Sequence, residues 1–314
     1  MREEFLWTEK YRPKTIDQCV LPKTLKATFK QCIKDGQCQN LLLSGPPGIG
    51  KTTVAKAIIA ELDADYIIIN GSMNGNIDTL RNEIKSYAST VSFSNVGRKY
   101  VILDEADYLN ANSTQPALRN FIEEYSKNCG FFLTCNFKNR IIPALHSRCT
   151  VIDFKINNAE KSAMASEFLH RITHILKAEN VTVTNQEVLI NLIIKHFPDW
   201  RRILNELQRY ASSGTIDAGI LALVQDDDTK DLVKFLKSKD FKAIRKWSAQ
   251  NATIDVNTIF RKLYDQSYDI MEPASIPQLV LLIADYQYKA AFVADQEINL
   301  VAALTSIMVD CTFK

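Results

Sequence analysis

The sequence of 314 residues predicts an α/β domain built on a parallel sheet, followed by two all-helical domains. Three observations predict this. Five apolar runs, Leu41–Leu43, Tyr66–Ile69, Tyr100–Leu103, Phe131–Thr134 and Val151–Phe154, are continuous rather than alternating, as in strands buried on both faces of a parallel sheet. Helical patterns lie between them and supply the crossovers. Past about residue 156 the strand signals stop, and all ten glycines lie at or before Gly219, so the last 95 residues hold none.

The first run leads into Gly45-Pro46-Pro47-Gly48-Ile49-Gly50-Lys51-Thr52, which fits the phosphate-loop pattern G-x-x-x-x-G-K-[ST]. A helical segment from Thr53 follows it. Strand, loop and helix together predict a nucleotide site at the C-terminal ends of the strands. Gly45, Gly48 and Gly50 let backbone N–H groups, including that of Ile49, converge on phosphates, and the helix start adds partial positive charge. Lys51 is placed for the β- and γ-phosphates, Thr52 for Mg²⁺, and Thr53 for the helix start.

The third run, Tyr100-Val101-Ile102-Leu103, ends in Asp104-Glu105-Ala106-Asp107. This is a Walker B arrangement: Asp104 holds Mg²⁺ through water, and Glu105 orients and polarises the attacking water. The fourth run ends at Asn136, which has two readings: a γ-phosphate or water contact, or a turn residue.

Beyond the sheet, Glu160–Lys177, Asn185–His196 and Trp200–Ser212 predict three helices. Asp226-Asp227-Asp228 reads as a linker or helix start. The tail carries Ile276, Leu279, Val280 and Ile283 at helical spacing, and Val301 to Met308 is apolar on much of its circumference. That stretch reads either as ordinary core or as a surface shared with other subunits. The expected domains are residues 1–155, 156–224 and 225–314.

Composition bounds the rest. A net charge of +2 neither demands nor excludes nucleic acid, so any binding surface is local. No apolar run approaches the roughly 18 residues a membrane helix needs, and the N-terminus lacks a signal-peptide pattern. The seven cysteines form no C-x-x-C pair, which argues against a zinc ribbon, and their odd count without a secretion signal points to reduced thiols in a cytoplasmic compartment. His170 and His174 are four apart, but Arg171 stands where a metalloprotease helix has Glu, so a solvated helix face is expected.

With the three strand ends placed, the chain resembles the AAA+ ATPases, and among them the sliding-clamp loaders. Trp7-Thr8-Glu9-Lys10-Tyr11-Arg12-Pro13 is similar to the W-x-E-K-Y-R-P opening of replication factor C subunits. Asp104 to Asp107 is their form of the Walker B end, and Ser147-Arg148-Cys149 matches their S-R-C motif. Pro198-Asp199-Trp200-Arg201-Arg202 resembles their sensor-2 segment. The likeness covers roughly residues 5–215. It implies adenine contacts from Thr8, Glu9, Lys10, Tyr11, Arg12 and Val20, a phosphate contact from Arg201 in cis, and an arginine finger, Arg148, reaching the neighbouring subunit's γ-phosphate. The helical parts become a lid and a collar. ATP and Mg²⁺ are the implied cofactors. The implied partners are a sliding clamp, primer–template DNA, further copies of the chain and at least one other loader subunit in a ring or spiral.

The chain also departs from the cellular pattern. Asn70-Gly71-Ser72-Met73-Asn74-Gly75-Asn76-Ile77-Asp78 parallels the cellular N-A-S-D-E-R-G-I-D but lacks its acids and arginine. The helix Thr114-Gln115-Pro116-Ala117-Leu118-Arg119-Asn120 keeps only the A-L-R core. These features look more like the ATPase subunit of a tailed-phage loader. Family members grip DNA by its backbone, which makes Asn76, Arg81 and Thr114 DNA candidates, with a solvated side chain as the other reading of Arg81. Ile84, Tyr87 and Phe93 resemble part of a clamp-binding peptide, with core packing as the other reading of Ile84 and Tyr87. Two competing functions are a different AAA+ machine, such as a helicase loader or branch-migration motor, and a scaffolding subunit that holds nucleotide without turnover. The W-x-E-K-Y-R-P-like opening and S-R-C argue against the first, and intact Lys51, Asp104, Glu105 and Arg148 against the second.

Overall fold

A computed structural model describes residues 5–73, 77–90, 98–211, 214–216, 229–251, 255–290 and 292–314. The chain divides into two compact units, residues 1–221 and 222–314.

Five strands form the first unit's main sheet: β1 (Leu41–Ser44), β2 (Tyr66–Asn70), β3 (Lys99–Asp104), β4 (Cys129–Cys135) and β5 (Thr150–Asp153). All neighbours run parallel, in the order β2-β3-β4-β1-β5. Alternate side chains along one strand enter different cores. Leu41, Leu43, Tyr100, Ile102 and Phe132 pack on one face, with helices α2 (Lys23–Lys34) and α3 (Lys51–Glu61). Leu42, Val101, Leu103, Phe131 and Leu133 pack on the other, with α4 (Ile77–Ala88) and α5 (Thr114–Glu124). This two-sided burial explains the continuous apolar runs. It fails only at the edges: Tyr66 and Ile68 of β2 and Val151 of β5 are exposed, so the Tyr66 and Val151 runs are not buried on both faces as expected.

Two short helices frame the sheet. The first, α1 (Trp7–Lys10), precedes it; the other, α6 (Pro143–His146), lies between β4 and β5. Three helices follow: α7 (Asn158–Ala178), α8 (Gln186–His196) and α9 (Trp200–Ala211). They agree with the sequence pattern to within two residues at each described end. The sequence reading missed a two-stranded parallel pair here, Thr182–Val183 with Thr215–Ile216, because two-residue strands leave no periodicity to read. The second unit is helical, from α10 (Thr229–Lys237) and α11 (Phe241–Gln250) to α14 (Ile276–Ala290) and α15 (Gln296–Asp310). Between them lie α12 (Val256–Asp265) and α13 (Ser267–Ile270). Its core holds Leu279, Ile283, Leu300, Leu304 and Ile307. Val280 is exposed rather than buried with them. The triple-Asp segment lies outside the described residues.

Candidate active site

One cavity opens at the C-terminal ends of β1, β3 and β4. Pro47 to Val54, Asp104, Glu105, Thr134 and Asn136 line it from the sheet side. Phe168 and Arg171 of α7, and Trp200, Arg201 and Leu204 of α9, line it from the helices that follow the sheet.

The phosphate loop owes its path to two glycines in the left-handed region, Gly48 at φ +72° and Gly50 at φ +103°, where a side chain is strained. Gly50 starts α3, so the free N–H groups of that helix face the loop. Lys51 is buried and donates to the Gly45 carbonyl at 2.8 Å, the Pro46 carbonyl at 2.9 Å and Asn136 Oδ1 at 2.8 Å. Burial pushes its pKa down, and the neighbouring carboxylates of Asp104 and Asp107 oppose that shift.

The Thr52 hydroxyl donates to Asp104 Oδ1 at 2.6 Å, and the Thr134 hydroxyl donates to the same oxygen at 2.6 Å. The Glu105 N–H in turn donates to Thr134 Oγ1 at 3.1 Å. Glu105 sits at φ 56°, a left-handed turn that ends the strand abruptly. Thr52 and Asp104 therefore present only oxygen ligands. That set suits Mg²⁺, which keeps several waters and phosphate oxygens of its own.

Sequence reasoning missed three supporting residues. Thr134 ties Asp104 to the turn at Glu105; its only signal was a polar residue ending an apolar run. Asp107 is buried, and its Oδ2 accepts the N–H groups of Asn136 and Phe137 at 3.1 Å each, so the acid after β3 shapes the turn after β4. Arg171 lies on the cavity wall and donates to the Gln18 carbonyl at 2.9 Å and the Tyr11 carbonyl at 2.6 Å.

Of the N-terminal segment, Thr8, Tyr11, Arg12 and Val20 line the cavity, and Glu9 and Lys10 are not among its lining residues. Glu9 instead holds Arg12 through a two-pronged ion pair, and Arg12 Nη1 reaches Thr53 Oγ1 at 2.9 Å. The guanidinium holds the Glu9 carboxyl below its usual range. Lys10 pairs with Glu179 at 2.8 Å, and the Tyr11 hydroxyl donates to Glu179 at 2.5 Å. Gly45 is also absent from the lining, and its carbonyl serves Lys51.

Arg148 is outside this cavity. Its Nε donates to Glu123 Oε1 at 2.7 Å, its Nη2 pairs with the same carboxylate, and its Nη1 donates to the Ala144 carbonyl at 2.8 Å. The neighbouring Cys149 is buried in the core below, and burial pushes its thiol up to about 12.

The remaining candidates divide. Arg81 is exposed on α4. Thr114 is buried, and Asn110 already takes the N–H groups at that helix start: its carbonyl accepts from Thr114 and Gln115, and its side chain from Asn112 and Ser113. Thr114 therefore does not present a free helix start to DNA. Ile84 is fully buried, and Tyr87 packs against the same core with its hydroxyl buried, so neither is a projecting clamp anchor. Asn76 and Phe93 lie outside the described residues. His170 and His174 are exposed on α7. Among the described residues, no group of three or more His, Cys, Asp or Glu is placed to hold a metal ion, and no helix is long and apolar enough to cross a membrane.

Comparison with known proteins identifies the family to which this fold belongs. The family model for ATPases associated with various cellular activities (AAA) matches residues 41–156. That for the sliding-clamp-loader large subunit, AAA+ ATPase lid domain, matches residues 160–222. The sliding-clamp-loader large subunit of Enterobacteria phage T4 is 37% identical, over 95% of this chain and 94% of its own length. That of Escherichia phage RB69 is 34% identical, over 99% of this chain and 98% of its own. The replication factor C small subunit of Sulfurisphaera tokodaii is 32% identical, over 98% of this chain and 97% of its own. Among solved structures, a point mutant of Thermotoga maritima RuvB superposes with a TM-score of 0.54 at 18% identity, over 80% of this chain and 85% of its own, a likeness of fold alone. The chain belongs to the sliding-clamp-loader family of AAA+ ATPases.

Proposed function

We propose that this chain is the ATP-hydrolysing subunit of a DNA polymerase sliding-clamp loader, which opens a ring-shaped clamp and places it on primer–template DNA. One observation carries the reading. The groups that hold a triphosphate and polarise water line a single cavity, while the S-R-C arginine lies off it. A site of this kind is completed by a neighbour.

Lys51 exchanges its carbonyl partners for phosphate oxygens. Thr52 and Asp104 would hold Mg²⁺, whose charge would offset that of the phosphates. Glu105 orients the attacking water, and Asn136, hydrogen-bonded to Lys51, helps position it. Arg201 contacts the phosphates in cis from the lid. Arg148 of the next subunit stabilises charge on the transferred phosphoryl group. The reading divides the chain into an ATP-binding domain (1–155), a lid (156–224) and an oligomerisation collar (225–314). The chain works in the cytoplasm with other copies and at least one other loader subunit. Arg81 is the described residue retained as a DNA contact.

The test is the ATPase rate of the assembled loader with and without primer–template DNA and cognate clamp. Stimulation by both is expected. Hydrolysis that neither changes would leave an ATPase but remove the clamp-loader assignment.

A further inference from the structure

The charge of this chain is concentrated in one helical hairpin that the ATP site does not use. Between Lys234 and Lys246 stand Lys234, Lys237, Lys239, Lys242, Arg245 and Lys246 against a single acid, Asp240. Six minus one leaves +5 in this stretch, so the rest of the chain, at a total of +2, carries −3. A surface of this kind on a nearly neutral chain is a local electrostatic footprint for a polyanion.

The fold presents these charges to solvent. On α10, Leu232, Val233 and Leu236 are buried in the core of the second unit, while Lys234 and Lys237 are exposed. On α11, Ile244 and Ser248 are buried, and Lys242, Arg245 and Lys246 are exposed at positions i, i+3 and i+4, on the side of the helix away from them. The two helices pack together across the Ser238 to Asp240 turn, where Lys239 is also exposed. Lys234 pairs with Asp231 at 3.0 Å, and the Asp240 carboxylate is spent capping α11 through the Ala243 N–H at 2.9 Å. Among the described residues, Lys237, Lys239, Lys242, Arg245 and Lys246 have no ion-pair partner within the chain. Phe241 is 47% exposed and lies one helical turn from Arg245.

We propose that the α10–α11 hairpin is a docking surface for single-stranded nucleic acid. The cations follow a phosphate backbone without reading sequence. The exposed Phe241 ring among them offers a stacking face, which an unpaired base can use and a duplex cannot.

The test is nucleotide-free binding of the full chain to a labelled oligo-dT of about 20 nucleotides, followed by anisotropy across a salt series. Removing three cations with Lys242→Gln/Arg245→Gln/Lys246→Gln is expected to weaken binding at least tenfold and to lower the salt slope by about 2. The reversal variant Lys242→Glu/Arg245→Glu/Lys246→Glu weakens it further. Phe241→Ala weakens oligo-dT binding and leaves duplex binding unchanged. Basal ATPase of these variants stays at the normal rate, since none of the residues lines the ATP cavity. Unchanged affinity and slope in both triple variants overturns the proposal. So does stronger binding of a poly-glutamate peptide than of oligo-dT, which would assign the hairpin to an acidic protein. Because no nucleotide or clamp is present, either failure leaves the clamp-loader reading intact.

Discussion

Asp199 lies so close over Gly48 that a methyl group on the glycine would fall 1.7 Å from the aspartate Oδ1. The same oxygen accepts the Arg202 N–H at 2.9 Å, which caps the helix that carries Arg201. The phosphate loop and the lid therefore meet at one point, and the lid's approach depends on the absence of a side chain there. Gly48→Ala is expected to lower ATP affinity at least tenfold, read by titration with a fluorescent ATP analogue. Adding Asp199→Ala should recover part of the loss. The left-handed φ of +72° stays strained, at about 1–2 kcal/mol, so recovery is incomplete. Full affinity in Gly48→Ala would show that the contact has no role in closing the site.

Lys51 and Asn136 share a hydrogen bond that joins the phosphate loop to the end of β4. Asn136→Ala should reduce the maximal hydrolysis rate by about 10- to 100-fold and change the ATP concentration at half-saturation little, as expected for a group that acts on the reacting phosphate. An equal fall in affinity and no fall in rate would reduce Asn136 to a turn residue.

Thr134→Val removes the hydroxyl between Asp104 and the Glu105 backbone and leaves the shape unchanged. The Glu105 N–H then lacks its acceptor, at a cost of about 1–3 kcal/mol. The variant should need more Mg²⁺ for half-maximal ATPase and should hydrolyse more slowly at saturation. A normal Mg²⁺ titration would mean that Asp104 is positioned without Thr134.

The ATP site was legible to unequal depth in the sequence. Gly45 to Thr52 and Asp104-Glu105 were readable because phosphate binding constrains neighbours in sequence. Thr134, Asp107 and Arg171 were not, because each acts through a partner 20 or more residues away that only the fold brings near. The same limit explains Ile84 and Thr114. Helical spacing identified their helices but not which side meets the sheet, and both side chains turned inward. The five strands were readable because both faces of the sheet are covered; the edge residues Tyr66, Ile68 and Val151 departed from that rule. Glu123 carried no signal at all until Arg148 was placed against it.

His196 gives a pH dependence of stability. Its Nε2 is buried without a partner among the described residues, and burial pushes its pKa from 6.5 down to about 4, with Arg202 and Lys195 adding to the shift. The unfolded chain therefore takes up a proton that the folded chain refuses. Stability from this group is complete above pH 6.5 and declines as the pH falls toward 4. His196→Gln should flatten the fall of melting temperature across that window. An identical profile in the variant would place the dependence on other groups.

The division of the site between subunits is tested most directly by mixing two inactive chains in the assembled loader with DNA and clamp. Arg148→Ala lacks the finger, and Lys51→Ala lacks the phosphate-binding lysine. Each alone should show at most about 1% of normal stimulated ATPase, on the scale of losing an arginine finger. Where an Arg148→Ala chain meets a Lys51→Ala neighbour, an intact site forms from the two, so the mixture should regain a substantial share of the rate. Failure of the mixture to exceed either parent, with assembly confirmed by mass, would contradict the account and leave Arg148 a structural partner of Glu123.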